Sequence, residues 1–289
     1  MILRCDGPAC RLRAGDLGLG AVDGESVECL GRCETPVAAE QLGRSLTIRR
    51  RGALEPYGPA ELPRQASPPI LLRDAGFADQ PSLPAARRRG AWRAAPELTG
   101  LAARELLASL PTRPRRALAN AFAGRALCER DPHLVLEGAG VVARADGTPH
   151  LAVRVPASWI DARAALQRAA AEAHADGLTG ELSLVADGGV EPVRAARLAR
   201  AAQLGVDWYE RHLTVLCAVS GDIFNPGVYE LPAGASVADA VAAAGGAVDG
   251  LCTAAAARFA CDGEPATDPA GAAPSALVVF HARREPLAI

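Results

Sequence analysis

The sequence predicts a mixed fold class, α/β through the middle of the chain and α+β toward its C-terminus. Apolar residues recur at helical spacing in the middle, as at Leu101, Leu106 and Leu110 before Pro111 stops the pattern. From Leu213 onward, β-rich runs, a turn, a short helix and a late strand follow within about 70 residues. That succession is typical of a small α+β domain.

The composition excludes several classes of protein. The 289 residues are 49% hydrophobic and 22% charged, as in an ordinary folded chain, which argues against disorder. All 31 basic residues are arginine, and with 33 acids the net charge is −2, so no nucleic-acid partner is expected. No run of about 18 apolar residues occurs, and the first residues lack a signal-peptide pattern. We therefore expect no membrane span and a cytoplasmic location.

The elements follow in order along the chain. Residues 1–33 are rich in glycine and cysteine, and the prolines of residues 34–69 indicate two short strands and a linker. Ser158 can cap a helix that Gly177 closes, and a further helix is predicted over residues 192–203.

The C-terminal elements are indicated by β-rich runs and by a helix cap. Residues 213–219 and 228–231 predict a hairpin, Ser236 caps a helix over 237–244, and residues 277–281 form a last buried strand.

Four of the eight cysteines lie within the first 33 residues, as Cys5-x4-Cys10 and Cys29-x3-Cys33. Disulfides are uncommon in the cytosol, so these thiols need another explanation. Two pairs on two loops can deliver four thiolates to an iron–sulfur cluster. Structural zinc usually uses C-x2-C pairs, which neither pair matches. Spacing alone leaves a cluster, a zinc site and unligated thiols as open alternatives.

The cysteine pattern, with the segment Cys29-Leu-Gly-Arg-Cys33, resembles the thioredoxin-like [2Fe–2S] ferredoxin of respiratory complex I. The same module occurs in bidirectional hydrogenases and NAD-dependent formate dehydrogenases, and Tyr57-Gly58 is similar to its closing segment. The resemblance implies that Cys5, Cys10, Cys29 and Cys33 bind one [2Fe–2S] cluster. In two respects the sequence departs from the family: an N-terminal helical region is missing, and the loop between the pairs is shorter.

The remainder of the chain resembles the NADH-oxidising flavoprotein subunit of the same enzymes. Residues 70–76, the segment 129–138 (ERDPHLVLEG) and residues 219–232 carry the resemblance, the last being close to the soluble-ligand-binding β-grasp (SLBB) domain. The resemblance implies a truncated thioredoxin-like ferredoxin segment, a degenerate flavoprotein-like α/β middle and an SLBB-type β-grasp domain, at residues 1–66, 67–212 and 213–289.

The flavin and nucleotide motifs of that family are missing. The stretch in the position of its glycine-rich FMN loop, residues 98–107, has one glycine, so side chains take the space of a phosphate. Residues 120–123 lack the family's two acids, and its further nucleotide contacts are deleted between Gly180 and Pro192. The chain ends at Ile289, before the family's [4Fe–4S] cysteines. We therefore expect no FMN or NAD site and no catalytic residue.

The segment Gly138-Ala-Gly140-Val-Val-Ala143 imitates a dinucleotide-binding fingerprint. A true fingerprint needs an acid at the end of a second strand, whereas Asp161 lies inside a predicted helix. The segment is therefore predicted to be a packed helix.

Together these inferences predict a non-catalytic subunit of a redox complex related to NADH dehydrogenase, with other subunits of that complex as partners. It would carry one [2Fe–2S] cluster. Two alternatives stay open: a cluster-free scaffold or assembly protein with zinc or no metal, and an active NADH dehydrogenase with a rebuilt flavin site.

Overall fold

The structure, a computed structural model, divides into two compact units. It describes residues 2–6, 10–11, 14, 24–27, 30, 32, 37–42, 44–48, 53–56, 62–65, 67–110, 121–246, 258–261, 264–266 and 276–280. The terminal unit contains Met1–Ser67, Arg116–Ala123 and Val215–Ile289, and the middle unit contains Pro68–Arg115 and Gly124–Thr214. Helices and strands are mixed, which confirms the predicted fold class. The three-segment division at residues 66 and 212 stays a prediction.

The N-terminal part of the terminal unit is a five-stranded sheet in the order β2-β1-β3-β4-β5. Its strands are β1 (Ile2–Cys5), β2 (Glu25–Val27), β3 (Ala38–Gln41), β4 (Arg44–Ile48) and β5 (Leu54–Pro56). β1 and β2 are parallel and the other pairs are antiparallel. The sequence predicted only two strands after residue 34. It missed β5, a three-residue edge strand ending at Pro56, because so short a segment has no alternating pattern.

The middle unit is mainly helical. Its elements are α1 (Leu83–Arg88), α2 (Gly100–Ser109), most of α3 (Ala121–Arg130), α4 (Pro132–Asp146), β6 (Leu151–Arg154), α5 (Ile160–Ala175), β7 (Leu182–Val185), α6 (Pro192–Leu204) and α7 (Val206–Arg211). β6 and β7 form a parallel pair. The predicted helix over 192–203 is confirmed, and Gly205 ends it at φ 87°. The predicted Ser158 cap is wrong: α5 begins after buried Trp159, without a side-chain cap.

The C-terminal part of the terminal unit is a second five-stranded sheet, in the order β11-β10-β12-β8-β9. Its elements are β8 (Thr214–Gly221), β9 (Gly227–Pro232), α8 (Val237–Ala243), β10 (Arg258–Cys261), β11 (Glu264–Ala266) and β12 (Ala276–Phe280). The predicted hairpin, helix and last strand are confirmed. Ser236 caps α8 in a reciprocal pair with Asp239, as its residue type predicts.

The linker before the middle unit lies along β9. The side-chain amide of Gln65 donates to the carbonyl of Val228 (3.0 Å), and its oxygen accepts from the N–H of Glu230 (2.7 Å). Gln65 therefore pairs with this strand as a neighbouring backbone would. A Cβ on Gly227 would lie 2.5 Å from Pro63, so glycine permits the close approach.

The glycine pattern at 138–143 lies inside α4, which confirms the predicted packed helix. A Cβ on Gly138 would overlap the carbonyl oxygen of Ala195 in α6. Gly138 therefore permits the contact of these two helices, and Asp161 lies inside α5 as predicted. Gly140 follows two residues later, and a Cβ there would have no heavy atom of the described residues within 4 Å beyond its own helix.

These two glycines predict opposite effects of the same substitution. Gly138→Ala should lower the free energy of unfolding by about 1–3 kcal/mol because the methyl group forces α4 and α6 apart. Gly140→Ala should raise it by roughly 0.5–1 kcal/mol, since alanine favours a helix interior. Urea denaturation of both variants measures this, and a loss of stability in both would contradict the proposed helix contact.

Candidate functional site

Two of the four predicted cluster ligands are described, and both are buried in the N-terminal sheet. Cys5 ends β1 with 3% of its surface exposed, and Cys10 is helical with 2% exposed. Both belong to one apolar cluster, together with Leu30, Val37, Ala38, Ala39 and Ile48. Cys5 and Cys10 therefore lie in an apolar cluster of small and branched side chains, which excludes water.

Each of these two sulfurs accepts a backbone hydrogen bond from elsewhere in the chain. The N–H of Leu30 donates to Cys5 Sγ (3.3 Å), and the N–H of Ala38 donates to Cys10 Sγ (3.4 Å). Hydrogen bonds of this kind stabilise the charged form of a ligand sulfur. Leu30 directly follows Cys29 in the sequence, so the donor to the first pair comes from the segment of the second pair.

Cys29 and Cys33, like Tyr57-Gly58, lie outside the described residues. Their described neighbours Leu30 and Arg32 are buried, at 2% and 1% exposed. Within the described part of the chain, no group of three or more His, Cys, Asp or Glu side chains could hold a metal ion. The four-cysteine ligand set therefore stays a prediction.

The region in the position of the flavin loop forms the helix that the sequence predicted. Thr99 caps α2 by accepting the N–H of Ala102 (3.2 Å), and Gly100 is the one glycine of that helix. Residues 111–120 are outside the described residues, but 121–123 begin α3, where Phe122 is 2% exposed. An apolar side chain is thus buried in the position that the resemblance assigned to an acid.

A buried charge network in the middle unit was not anticipated from the sequence. Arg200 donates to the carboxylate of Asp74 (2.9 Å) and to Gln203 (2.8 Å), and lies 3.7 Å from a carboxylate oxygen of Asp131. Gln203 in turn donates to Glu137 (2.6 Å). Arg200 and Asp131 are each 1% exposed, and Glu137 is fully buried. The network joins α4 and α6 to the segment before α1.

A second branch leads from this network to the surface. Gln80 donates to Asp131 (2.9 Å) and accepts from Arg89 (2.9 Å), which pairs with Asp79 (2.7 Å). Arg88 also pairs with Asp79 (3.0 Å), at 65% exposure. This chain of hydrogen bonds and ion pairs therefore runs from the buried carboxylate of Asp131 to the exposed carboxylate of Asp79.

The pKa values of the network carboxylates reflect burial and their arginine partners. Burial raises the pKa of Asp131 to about 6 and that of Glu137 to about 7, because desolvation penalises the charged form. Burial also opposes ionisation of Asp74, but Arg73 and Arg200 outweigh it, so the pKa of Asp74 lies below its usual range.

His133 is fully buried beside this network. Its Nδ1 accepts the indole N–H of Trp92 (3.3 Å), and its Nε2 lies 3.5 Å from the carboxylate of Glu172. Glu172 also accepts the N–H of Leu83 (2.6 Å), the first residue of α1. Burial lowers the pKa of His133. Trp92 has a φ of 64°, an uncommon conformation for a bulky side chain.

The sequence did contain one signal of this network. Asp131, His133 and Glu137 all belong to the segment 129–138, which stood out only through its family resemblance. Their partners lie far along the chain, at Gln80, Trp92, Glu172 and in α6. No spacing rule connects such positions.

The comparisons with known proteins agree with this architecture. The SLBB domain family matches residues 217–265, within the C-terminal sheet and α8. A chain in the crystal structure of an NAD+-reducing [NiFe]-hydrogenase, air-oxidized, has a TM-score of 0.61 and 16% identity, covering 98% of this chain and 69% of that chain. A chain in the crystal structure of the H2-reduced form has a TM-score of 0.53 and 18% identity, covering 98% of this chain and 68% of that chain. This chain shares its fold with that hydrogenase chain. No curated protein matches.

At these identities the likeness is one of fold. The relation to the NADH-dehydrogenase module of complex-I-like enzymes, like the fused ferredoxin segment, therefore stays a prediction. Among the helices of the described residues, none is long and apolar enough to cross a membrane.

The network predicts a large difference between a buried and an exposed arginine. Arg200→Met should cost about 3–5 kcal/mol of unfolding free energy, because it leaves buried carboxylates without their cation. Arg88→Ala, which removes an exposed pair, should cost no more than about 1 kcal/mol. Urea denaturation distinguishes the two, and equal losses would contradict the central role of Arg200.

The raised pKa of Glu137 predicts a pH-dependent stability. The folded state keeps this proton up to about pH 7, whereas the unfolded chain releases it near its usual value of 4.5. The folded state therefore binds more protons in that interval, and its unfolding free energy falls as pH rises. Relative to wild type, Glu137→Gln should gain stability between pH 5 and about pH 8. Parallel stability curves for the two proteins would contradict the burial of this proton.

Proposed function

We propose that this chain is an electron-transfer subunit of a redox complex, with one [2Fe–2S] cluster held by Cys5, Cys10, Cys29 and Cys33. The observation that carries the proposal is the hydrogen bonding of the two described sulfurs. Each is buried and accepts a backbone N–H, from Leu30 and Ala38. A backbone N–H directed at each buried sulfur would stabilise its thiolate form, which a ligand of an iron–sulfur cluster requires.

The residues present fit the group. Iron–sulfur clusters are held by four thiolates, and hydrogen bonds to the sulfurs and limited solvent exposure set their potential. Cys5 and Cys10 lie in an apolar cluster that excludes water, and their N–H donors stabilise thiolate charge. When bound, the cluster supplies one-electron transfer.

The proposal assigns no hydride chemistry to this chain. In support, the stretch that the sequence resemblance aligns with the family's phosphate-binding loop forms the helix α2, whose N-terminus is capped by the Thr99 side chain. Phe122 is buried in the position of an acid. We therefore propose that FMN and NAD bind, if anywhere in the complex, to other subunits.

The partners that we propose are the other subunits of the complex. The fold likeness to a chain of an NAD+-reducing hydrogenase supports such an assembly. Complex-I-like, hydrogenase and formate dehydrogenase assemblies are the three classes that the resemblance implies. We propose a cytoplasmic location.

The test is an anaerobic purification with iron, sulfide, zinc and flavin counted, followed by low-temperature EPR after dithionite reduction. About two irons per chain with a reduced [2Fe–2S] signal and no flavin is the expected result. Stoichiometric FMN would instead identify an active NADH dehydrogenase with a rebuilt flavin site.

The cysteine assignments predict a matched pair of variants. Cys5→Ser should lose the cluster or change its EPR and visible spectra, because a ligand sulfur is replaced by oxygen. Cys128→Ala should keep both spectra, since Cys128 is a fully buried core residue of the middle unit. An unchanged spectrum in Cys5→Ser would remove Cys5 from the ligand set.

A second candidate is a cluster-free scaffold or assembly protein. The short connection between the cysteine pairs, with 18 residues between Cys10 and Cys29, favours it. Zinc, or no metal, in the anaerobically purified protein would support this candidate over the first.

A further inference from the structure

Trp92 has a backbone conformation that its own residue type disfavours. Its φ of 64° lies in the left-handed region, where a bulky side chain is an outlier. The side chain is nevertheless buried, and its indole N–H donates to Nδ1 of His133 in α4 (3.3 Å). A disfavoured conformation persists only where surrounding contacts impose it. His133 supplies the hydrogen bond that fixes the indole group.

The backbone on either side of Trp92 is anchored by other residues. The N–H of Ala91 donates to the carbonyl of Ala86 (3.0 Å), and the carbonyl of Ala95 accepts a hydrogen bond from Arg144. Residues 92–94 form the short segment between these two anchors. The side-chain bond from Trp92 to His133 attaches this segment to α4.

The surroundings of His133 fix its neutral tautomer. Nδ1 accepts the indole N–H, so the ring proton lies on Nε2, which faces the carboxylate of Glu172 at 3.5 Å. Glu172 lies in α5 with a half-exposed side chain, so its carboxylate keeps contact with water. A second proton can enter the ring only at Nδ1. There it would point at the indole N–H, and two donors cannot share a hydrogen bond.

Charged groups from two neighbouring helices act on this imidazole. Burial is the largest influence and lowers the pKa of His133, and Arg87 of α1 acts in the same direction. Glu172 and the carbonyl of Pro81 act against them and favour the charged ring. Arg87 is itself paired with Asp176, directly after α5. The charged ring therefore gains most from Glu172.

Two acids on or next to α4 titrate near this contact. Asp131 lies 3.7 Å from Arg200 of α6, which offsets its charge. Glu137 follows His133 by one helical turn. Burial raises the pKa of Glu137 to about 7, against the backbone amide of Trp92, which favours its charged form. Titration of Glu137 is therefore the competing cause of any pH effect on Trp92.

We propose that the hydrogen bond between His133 and Trp92 is a pH-sensitive latch, which opens when Nδ1 of His133 takes up a proton from water. The proton converts an acceptor into a donor, the imidazolium pairs with Glu172, and residues 92–94 leave α4. Burial keeps the ring neutral in the closed latch, whereas the open latch exposes it to water. The open form therefore binds more protons and gains population as pH falls below about 6.5, the ordinary pKa of histidine. The latch involves none of the cluster cysteines, so its test is independent of the proposed function.

The test measures hydrogen exchange of the indole N–H groups in the full chain. The three tryptophans, Trp92, Trp159 and Trp208, give three indole signals in a proton–nitrogen correlation spectrum. Relative to free tryptophan at the same pH, the protection of the Trp92 signal should fall roughly tenfold between pH 7 and pH 5. An exposed imidazole of pKa about 6.5 favours the open form by up to about 25-fold over this interval. Unchanged protection of Trp92 would overturn the latch.

Two asparagine substitutions form a matched pair. In His133→Asn the amide oxygen takes the place of Nδ1 and accepts the indole N–H without titrating, so the protection of Trp92 should lose its pH dependence. His212→Asn changes an exposed tryptophan–histidine pair, in which Nδ1 of His212 lies 2.7 Å from the carbonyl of Trp208 and the rings stack at 4.1 Å. This control should leave the response of Trp92 as in wild type. A response that survives in His133→Asn would contradict the proposal.

Two further variants separate the carboxylates, and they keep the test decisive where His133→Asn fails to fold. Glu137→Gln should retain the fall in protection, and a loss of that fall would assign the effect to Glu137 and sink the latch. Glu172→Gln keeps an oxygen for the N–H of Leu83 but cannot pair with an imidazolium. Its Trp92 protection at pH 5 should therefore exceed that of wild type. Equal protection in Glu172→Gln and wild type would remove the ion pair that opens the latch, and with it the proposal.

Discussion

The middle unit depends on the neutralisation of buried carboxylates by the guanidinium group of Arg200. Asp74 and Asp131 come from segments far apart in the chain, and Arg200 on α6 contacts both. Such a set of charges is tolerated inside a protein only when it is complete, because each unpaired member would carry its full desolvation cost. The position of α6 against α4 is therefore set by charge as well as by the contact at Gly138.

The same kind of contact recurs elsewhere in the middle unit. The Arg200 network, the His133–Trp92–Glu172 contacts and the contact of α4 with α6 join segments that lie far apart in the chain. A fold supported by such contacts needs no bound ligand to order it. Function is assigned by sites and not by folds, so the cysteines of the terminal unit carry the proposal for electron transfer.

Much of the architecture was predictable from local pattern. The Ser236 cap, Pro192 and Gly205 at the ends of α6, and the β-rich runs around residue 225 act over a few residues, and their elements formed as expected. Two local predictions missed. Ser158 is not a cap, because the chain buries Trp159 before α5 begins, and β5 was too short to have a pattern.

The sequence by itself determined the mixed fold class, the cysteine spacing and the single glycine of residues 98–107, since these depend on residue type and near neighbours. Only the tertiary structure decided that Leu30 and Ala38 donate to the sulfurs of Cys5 and Cys10. It alone also decided the burial of Arg32 and the partners of Arg200. The contacts of Leu30 with Cys5, of Ala38 with Cys10 and of Arg200 with Asp74 join residues more than 20 positions apart. Their free energy comes from excluding water around charge, which no short-range pattern in a sequence records.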